Sequence, residues 1–257
     1  MLPKTVEEKI VSYGDNLVAG TKILSFEETL RAFEQKFGAG NGTVERLKLE
    51  HEELENFVTR DEMHNLEVKA VQGGISIEKL MEGAGKGVAE ITNQFFPVIR
   101  REVVCFAGPG NNGGDALVAA RHFKRLGAKV SVVLLSEPKT WEAELNLRRA
   151  KNDGIEIKDL ESASGEIAVD GIFGTGVKGE IQEPFVSAIK KVNEFEIKVA
   201  IDVPSGLNPD TGEEKNVVSR TDLVICLGRF KKGLIGKFPL GRVQIADIGI
   251  PKDILSK

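Results

Sequence analysis

Glu102-Val-Val-Cys-Phe-Ala107 runs directly into Gly108-Pro-Gly-Asn-Asn-Gly-Gly-Asp115 and then into Ala116-Leu-Val-Ala-Ala-Arg-His122. A β-branched run, a glycine-rich turn and a helix-forming stretch in that order describe a strand–turn–helix unit. The spacing predicts a strand over 102–107 and a helix from about Gly114 to Leu126. The same alternation continues toward the C-terminus. Strands are expected over 129–135, 155–157, 166–172, 198–201, 222–226 and 242–246, and helices over 140–152 and 183–192. Strands that alternate with helices of this length imply parallel βαβ units with helices on both faces, an α/β fold. In such sheets ligands bind beyond the carboxyl ends of the strands.

On the N-terminal side of this core the reading is helical. Residues 1–57 are polar and form a helical extension. Ser25-Phe-Glu-Glu28 fits a capping box, followed by Phe26, Leu30, Phe33 and Phe37 at helical spacing. Gly38-Ala-Gly-Asn-Gly42 breaks that helix, and Thr43–Phe57 carries Val44, Leu47, Leu54 and Phe57 as an apolar stripe. A second capping box, Thr59-Arg-Asp-Glu62, opens a helix that Gly73-Gly74 ends, and Ser76 caps a longer one reaching about Gln94. The main domain is therefore expected over 58–257.

The chain has 257 residues, 41% hydrophobic and 29% charged, which suits a globular protein with one substantial core. A net charge of −4 argues against a general nucleic-acid binder, whose footprint is basic. Cys105 and Cys226 lie far apart in apolar runs and read as buried strand residues rather than a disulfide or zinc framework. No stretch has the length and apolarity of a membrane span, and the N-terminus, with Lys4, Glu7, Glu8 and Lys9, does not read as a signal peptide. The expectation is a soluble intracellular protein. Of the histidines, His51 and His64 read as exposed and His122 as a packing residue.

Three segments fall at the carboxyl edge. The first is Ala107–Asp115, whose four glycines let backbone amides approach a ligand at a helix start. A turn that merely needs glycine would not need Asn111, Asn112 and Asp115 as well. The segment is neither a Walker A loop nor a well-supported dinucleotide fingerprint, because no acidic residue closes the second strand. The second is Val169-Asp170-Gly-Ile-Phe-Gly-Thr-Gly-Val-Lys-Gly179, where a carboxylate near the end of an apolar strand costs stability unless it is paired or holds a cation. Lys178 lies in its glycine-rich part and is either a solvated loop lysine or a phosphate-site residue. The third is Ile201-Asp-Val-Pro-Ser-Gly206, where Asp202 is either a turn-capping residue or, with Asp170 and the Asn and Ser oxygens, part of a hard-cation site.

These motifs together resemble the NAD(P)H-hydrate epimerase family, the YjeF N-terminal domain. The likeness begins at Val58-Thr-Arg-Asp-Glu-Met63 and passes through Leu80-Met-Glu-Gly-Ala-Gly85, Asn111-Asn-Gly-Gly-Asp115, Asp170-Gly-Ile-Phe-Gly174 and Asp202-Val-Pro-Ser-Gly-Leu207. It ends near Ala246-Asp-Ile-Gly-Ile-Pro251 and covers about three quarters of the chain.

The resemblance implies a Rossmann-like three-layer αβα sandwich with a mostly parallel sheet. It also implies interconversion of the R and S forms of hydrated NADH or NADPH, the nucleotide being substrate and not redox cofactor. It would place one potassium ion per subunit on Asn112, Asp170 and Ser205, with Asp170 and Lys178 as an acid/base pair. Substrate contacts would fall on Asn111, Asn112, Gly113, Gly114 and Asp115, on Gly174, Thr175, Gly176, Val177, Lys178, Gly179 and Glu180, and on Asp202. Thr175 stands where the family commonly carries an aromatic residue.

The family also implies a cytoplasmic homodimer. Because the chain ends shortly after Pro251, the dehydratase activity fused to some relatives is expected in a separate protein. The rival readings are a non-catalytic nucleotide-binding or dimerisation scaffold of the same fold, and an NAD-dependent oxidoreductase.

Overall fold

The computed structural model describes residues 18–19, 22–23, 26–45, 47–48, 57–176, 179–238 and 242–255. In chain order the elements are β1 (Val18–Ala19), β2 (Lys22–Ile23), α1 (Phe26–Phe37), β3 (Phe57–Val58), α2 (Arg60–Gln72) and α3 (Ile77–Phe95). β4 (Glu102–Ala107), α4 (Asn111–Arg125), β5 (Lys129–Leu134), α5 (Trp141–Asn152) and β6 (Glu156–Lys158) follow. The chain closes with β7 (Ile167–Gly171), α6 (Phe185–Val192), β8 (Ile197–Ile201), β9 (Leu223–Leu227), β10 (Phe230–Lys231), β11 (Val243–Ala246) and α7 (Lys252–Leu255).

Seven strands form one sheet in the order β11-β9-β8-β7-β4-β5-β6, and every pairing in it is parallel. The chain leaves β4 toward β5 and β6, then returns to the other side of β4 for β7, β8, β9 and β11. The junction of β4 and β7 is therefore the topological switch point, where diverging connections leave a crevice at the carboxyl ends of the strands. The register sets Phe106 beside Asp170 and Ala107 beside Gly171, so the first two glycine-rich segments leave the sheet side by side.

Alternation along β4 explains both faces. Val103, Cys105 and Ala107 join the core beneath α3, α4 and α5, while Val104 and Phe106 point to the opposite core with α6. Around β8 and β9 that second face is covered by Val203, Leu207 and Val218 from the irregular segment between them and by Leu234 from the turn after β10. Cys105 and Cys226 are free and fully buried, as their apolar runs predict.

Helix starts follow their caps. The Thr59 hydroxyl accepts from the Glu62 N–H at 3.2 Å while the Glu62 carboxylate accepts from the Thr59 N–H at 2.7 Å, the reciprocal box expected from the sequence. Ser76 caps α3 through the Lys79 N–H at 3.2 Å.

Three features differ from the sequence reading. Helix α4 begins at Asn111, three residues before the expected Gly114, so Asn111–Asp115 is the first turn of a helix and not a loop. Phe57 is not the end of a helical stripe: it lies in β3, which pairs in parallel with β10, and its ring stacks on Phe230 at 5.2 Å. In the extension α1 is helical, Val44 and Leu47 are buried, and β1 and β2 form a short antiparallel pair that the helical reading did not include. The capping serine Ser25, His51 and Leu54 lie outside the described residues. Among the described residues no helix is long and apolar enough to cross a membrane.

Candidate functional site

The turn after β4 meets the turn after β7 through backbone alone. The Gly108 N–H donates to the Gly171 carbonyl at 3.1 Å, and a β-carbon on Gly108 would lie 1.8 Å from the Ile172 carbonyl oxygen. Gly113 is equally enclosed, since its β-carbon would fall 1.9 Å from the Gly108 carbonyl oxygen. These glycines let three backbone segments come together where any side chain would separate them. The turn after β7 in turn meets the turn after β8. The Ser205 hydroxyl donates to Asp170 Oδ1 at 2.6 Å and accepts from the Phe173 N–H at 2.9 Å, and the Ser205 N–H donates to Asp170 Oδ2 at 2.9 Å.

Asp170 is thus enclosed, with 0% exposure, and also accepts from the Ile172 N–H at 3.2 Å. Burial raises its pKa despite these hydrogen bonds, because removing a carboxylate from water outweighs the donors that remain. Beside it, the Asn112 amide lies against Gly174, whose β-carbon would sit 3.3 Å from Asn112 Oδ1, and Asn112 Nδ2 is buried with no hydrogen-bond partner among the described residues.

These turns wall a cavity of about 690 Å³. Asn111, Asn112 and Asp115 from the first turn of α4 line it, with Gly174, Thr175, Gly176 and Glu180 from the second segment and Asp202 from the third. The first turn of a helix has N–H groups without intrahelical acceptors and a partial positive charge, which together favour an anion. Phe173 and Phe185, 4.8 Å apart, add an apolar wall suited to a flat ring.

Gly113, Gly114 and Gly179, expected to contact the nucleotide, are not among the residues that line this cavity. Gly113 serves backbone packing, Gly114 faces Met81 and Ala143, and Gly179 is exposed away from the cavity wall. Val177 and Lys178 lie outside the described residues. Asp170 and Ser205 sit behind the wall rather than on it.

The wall also holds one carboxyl that the sequence reading did not select. Glu67 from α2 lines the cavity, and its pKa is raised by burial and by the nearby Asp202. Asp115, only 6% exposed, has its pKa raised well above the usual carboxylate value by burial first, then by Asp202 and Glu67. Asp202 has φ 69°, a left-handed conformation that costs a non-glycine residue about 1 kcal/mol. It is held there by the Leu227 N–H at 3.1 Å and by an ion pair with the fully buried Lys231. Lys231 was not singled out in the sequence, where it stands among the basic residues of Arg229-Phe-Lys-Lys232. His122, expected as packing, donates to or accepts from Glu82 at 2.9 Å, away from this site.

The raised Asp115 gives a prediction with a definite sign. The folded carboxyl binds its proton more tightly than the unfolded one, whose pKa is about 3.9. Its contribution to stability is full below that value and is lost as pH rises through the higher folded pKa. Asp115→Asn removes this titration. Its Tm should therefore exceed that of the wild type at pH 7, with the gain vanishing near pH 4. A Tm difference that is independent of pH would contradict the assignment.

The model of the family described as YjeF-related protein N-terminus matches residues 77–233. The bifunctional NAD(P)H-hydrate repair enzyme Nnr of Archaeoglobus fulgidus is 41% identical over 201 residues, which are 76% of this chain and 42% of that protein. The chain therefore spans less than half the length of that relative. The NAD(P)H-hydrate epimerase of Cenarchaeum symbiosum is 41% identical over 202 residues, 75% of this chain and 94% of its own length. The epimerase of Nitrosopumilus maritimus is 37% identical over 210 residues, 76% of this chain and 96% of its own. The crystal structure of yeast ynu0, YNL200c, superposes with a TM-score of 0.67 at 24% identity, covering 74% of this chain and 86% of that one, which supports the fold.

Proposed function

The chain belongs to the YjeF-related protein N-terminus family, and on that premise we propose that it epimerises the R and S forms of hydrated NADH and NADPH. The observation that carries this reading is the single cavity walled by the Asn111–Asp115, Gly174–Gly176 and Asp202 segments. It offers helix amides for phosphate and an aromatic wall for a ring.

The chemistry needs little more than placed proton donors and acceptors. The hydrated ring carbon bears a hydroxyl beside the ring nitrogen. When the hydroxyl receives a proton it leaves as water, and the nitrogen lone pair forms a carbon–nitrogen double bond. Water then adds to the opposite face and returns the proton, so composition is unchanged and only configuration inverts. Positioned acid/base groups contribute about 10²–10⁴-fold to such steps. Asp115 lies on the wall and keeps its proton to higher pH than an ordinary carboxyl, which suits a donor. Lys178 remains the family's proposed partner in proton transfer.

Asp170, with no exposed surface, is better placed to hold a cation and the turn than to touch the substrate. The residues fit a potassium ion: Asp170 carries a charge that burial penalises, and Asn112 Oδ1, beside Gly174, and Ser205 Oγ add neutral oxygens. One carboxylate with neutral oxygens suits a monovalent hard cation. Bound there, potassium would favour the ionised form of Asp170 and steady the turns that contact the nucleotide.

A homodimer in the cytoplasm, functionally coupled to a dehydratase that consumes the S form, completes the proposal. Relatives named as bifunctional repair enzymes are consistent with such coupling.

The test uses R-enriched hydrated NADPH, with the R/S ratio followed by chromatography in potassium and in tetramethylammonium buffers. Catalytic amounts of protein should speed equilibration, and more so in potassium. Equilibration no faster than the spontaneous rate would overturn the proposal and favour a non-catalytic scaffold.

A further inference from the structure

Lys231 has 0% exposure, although an ammonium is among the costliest groups to bury. Its Nζ donates to the Leu227 carbonyl at 3.0 Å and the Arg229 carbonyl at 3.1 Å, and pairs with Asp202 Oδ1. An ammonium has three protons, and these partners account for all of them. Two contacts fix the lysine to the turn between β9 and β10. The third reaches across to the end of β8.

The two members of the pair face different surroundings. Asp202 lines the cavity, whereas Lys231 does not reach it. Asp202 also holds the positive φ of 69° that few side chains adopt, and its Oδ1 accepts from the Leu227 N–H at 3.1 Å. Glu67 and Asp115 share that wall, and both are carboxyls close enough to sense Asp202 and Lys231. Without the ammonium, Asp202 would be a strained carboxylate among like charges, with every electrostatic reason to swing away.

We propose that Lys231 is a positioning residue: anchored to the β9–β10 turn, it holds the Asp202 carboxylate at the cavity wall, where it accepts hydrogen bonds from the hydroxyls of the nucleotide. The proposal rests on the reading of this cavity as the nucleotide site. The lysine never touches substrate, so its effect passes through Asp202 alone.

A double-mutant cycle tests that dependence. Lys231→Met should raise KM for hydrated NADPH about tenfold with kcat changed less than about twofold, the pattern of lost binding rather than lost chemistry. Asp202→Asn should do the same. Combining them should add nothing beyond Asp202→Asn, because the lysine then has no carboxylate to place. If Lys231→Met fails to fold, the double variant, in which both charges are gone, still compares directly with Asp202→Asn. A wild-type KM in Lys231→Met, or losses that add in the double variant, would overturn the proposal.

Crystal structures of the wild type and Lys231→Met separate this proposal from the function it rests on. Asp202 leaving its positive φ supports positioning even if the wild type shows no epimerisation. An unmoved Asp202 overturns it even if epimerisation is fast.

Discussion

Asp170→Asn is expected to lower kcat for epimerisation by about 10²–10³-fold, the loss typical when one preorganised electrostatic group is removed from a site. The substitution keeps the size of the side chain and leaves Oδ1 to accept from the Ile172 N–H and the Ser205 hydroxyl, now at 3.2 and 2.6 Å. It replaces the other oxygen by an NH₂ facing the Ser205 N–H, and it removes the charge. Both changes strike the junction of the second and third turns. Potassium should then no longer accelerate the residual reaction. Asn is the informative replacement, because Ala would strand several buried donors at about 1–3 kcal/mol each and confuse instability with lost catalysis. Rates measured with and without potassium on the folded variant decide the matter. A variant with the wild-type rate and potassium response would remove Asp170 from the mechanism.

Gly108→Ala should cost about 3 kcal/mol or more, since its methyl would lie 1.8 Å from the Ile172 carbonyl oxygen and 2.7 Å from its carbon. Neither neighbour is the flexible end of a side chain; both belong to the backbone that forms the second turn. For a chain of this size the loss corresponds to a Tm lower by roughly 10 °C. Gly110→Ala is the control. It has open space around its β-carbon and only the weak preference of an N-cap position against it, so it should cost less than about 1 kcal/mol. Thermal melts of the two variants side by side measure how tightly the first and second turns are joined. Equal, small losses would mean that the turns do not meet as closely as described.

The central strands of the sheet were legible because each is a short, near-continuous apolar run, buried on both faces as strands of a covered parallel sheet are. β4 matches its expected limits, and β5, β7 and β8 differ by a residue or so at their ends. Their convergence was legible because the carboxyl edge of a parallel sheet is where loops must gather. The start of α4 was not, because glycine and asparagine have poor helix propensity. At Gly113 and Gly114 the tight approach of backbone and of Met81 overrides that propensity.

The pairing of β3 with β10 was equally hidden, since two-residue strands carry no period. The Lys231–Asp202 pair escaped for a different reason: burial of a lysine depends on a partner 29 positions away in the chain, and local pattern registers only the charge. Glu67 escaped similarly, because it is one carboxyl among many on a polar helix and only tertiary packing turns it toward the cavity.

The most direct measurement is a crystal structure of the protein soaked with hydrated NADPH and potassium chloride. The nucleotide should occupy the crevice between the β4 and β7 turns, with its phosphates at the start of α4 and Asp202 in contact, and a cation should sit among Asn112, Asp170 and Ser205. Nucleotide density bound at another surface, with this crevice filled only by solvent, would contradict the account.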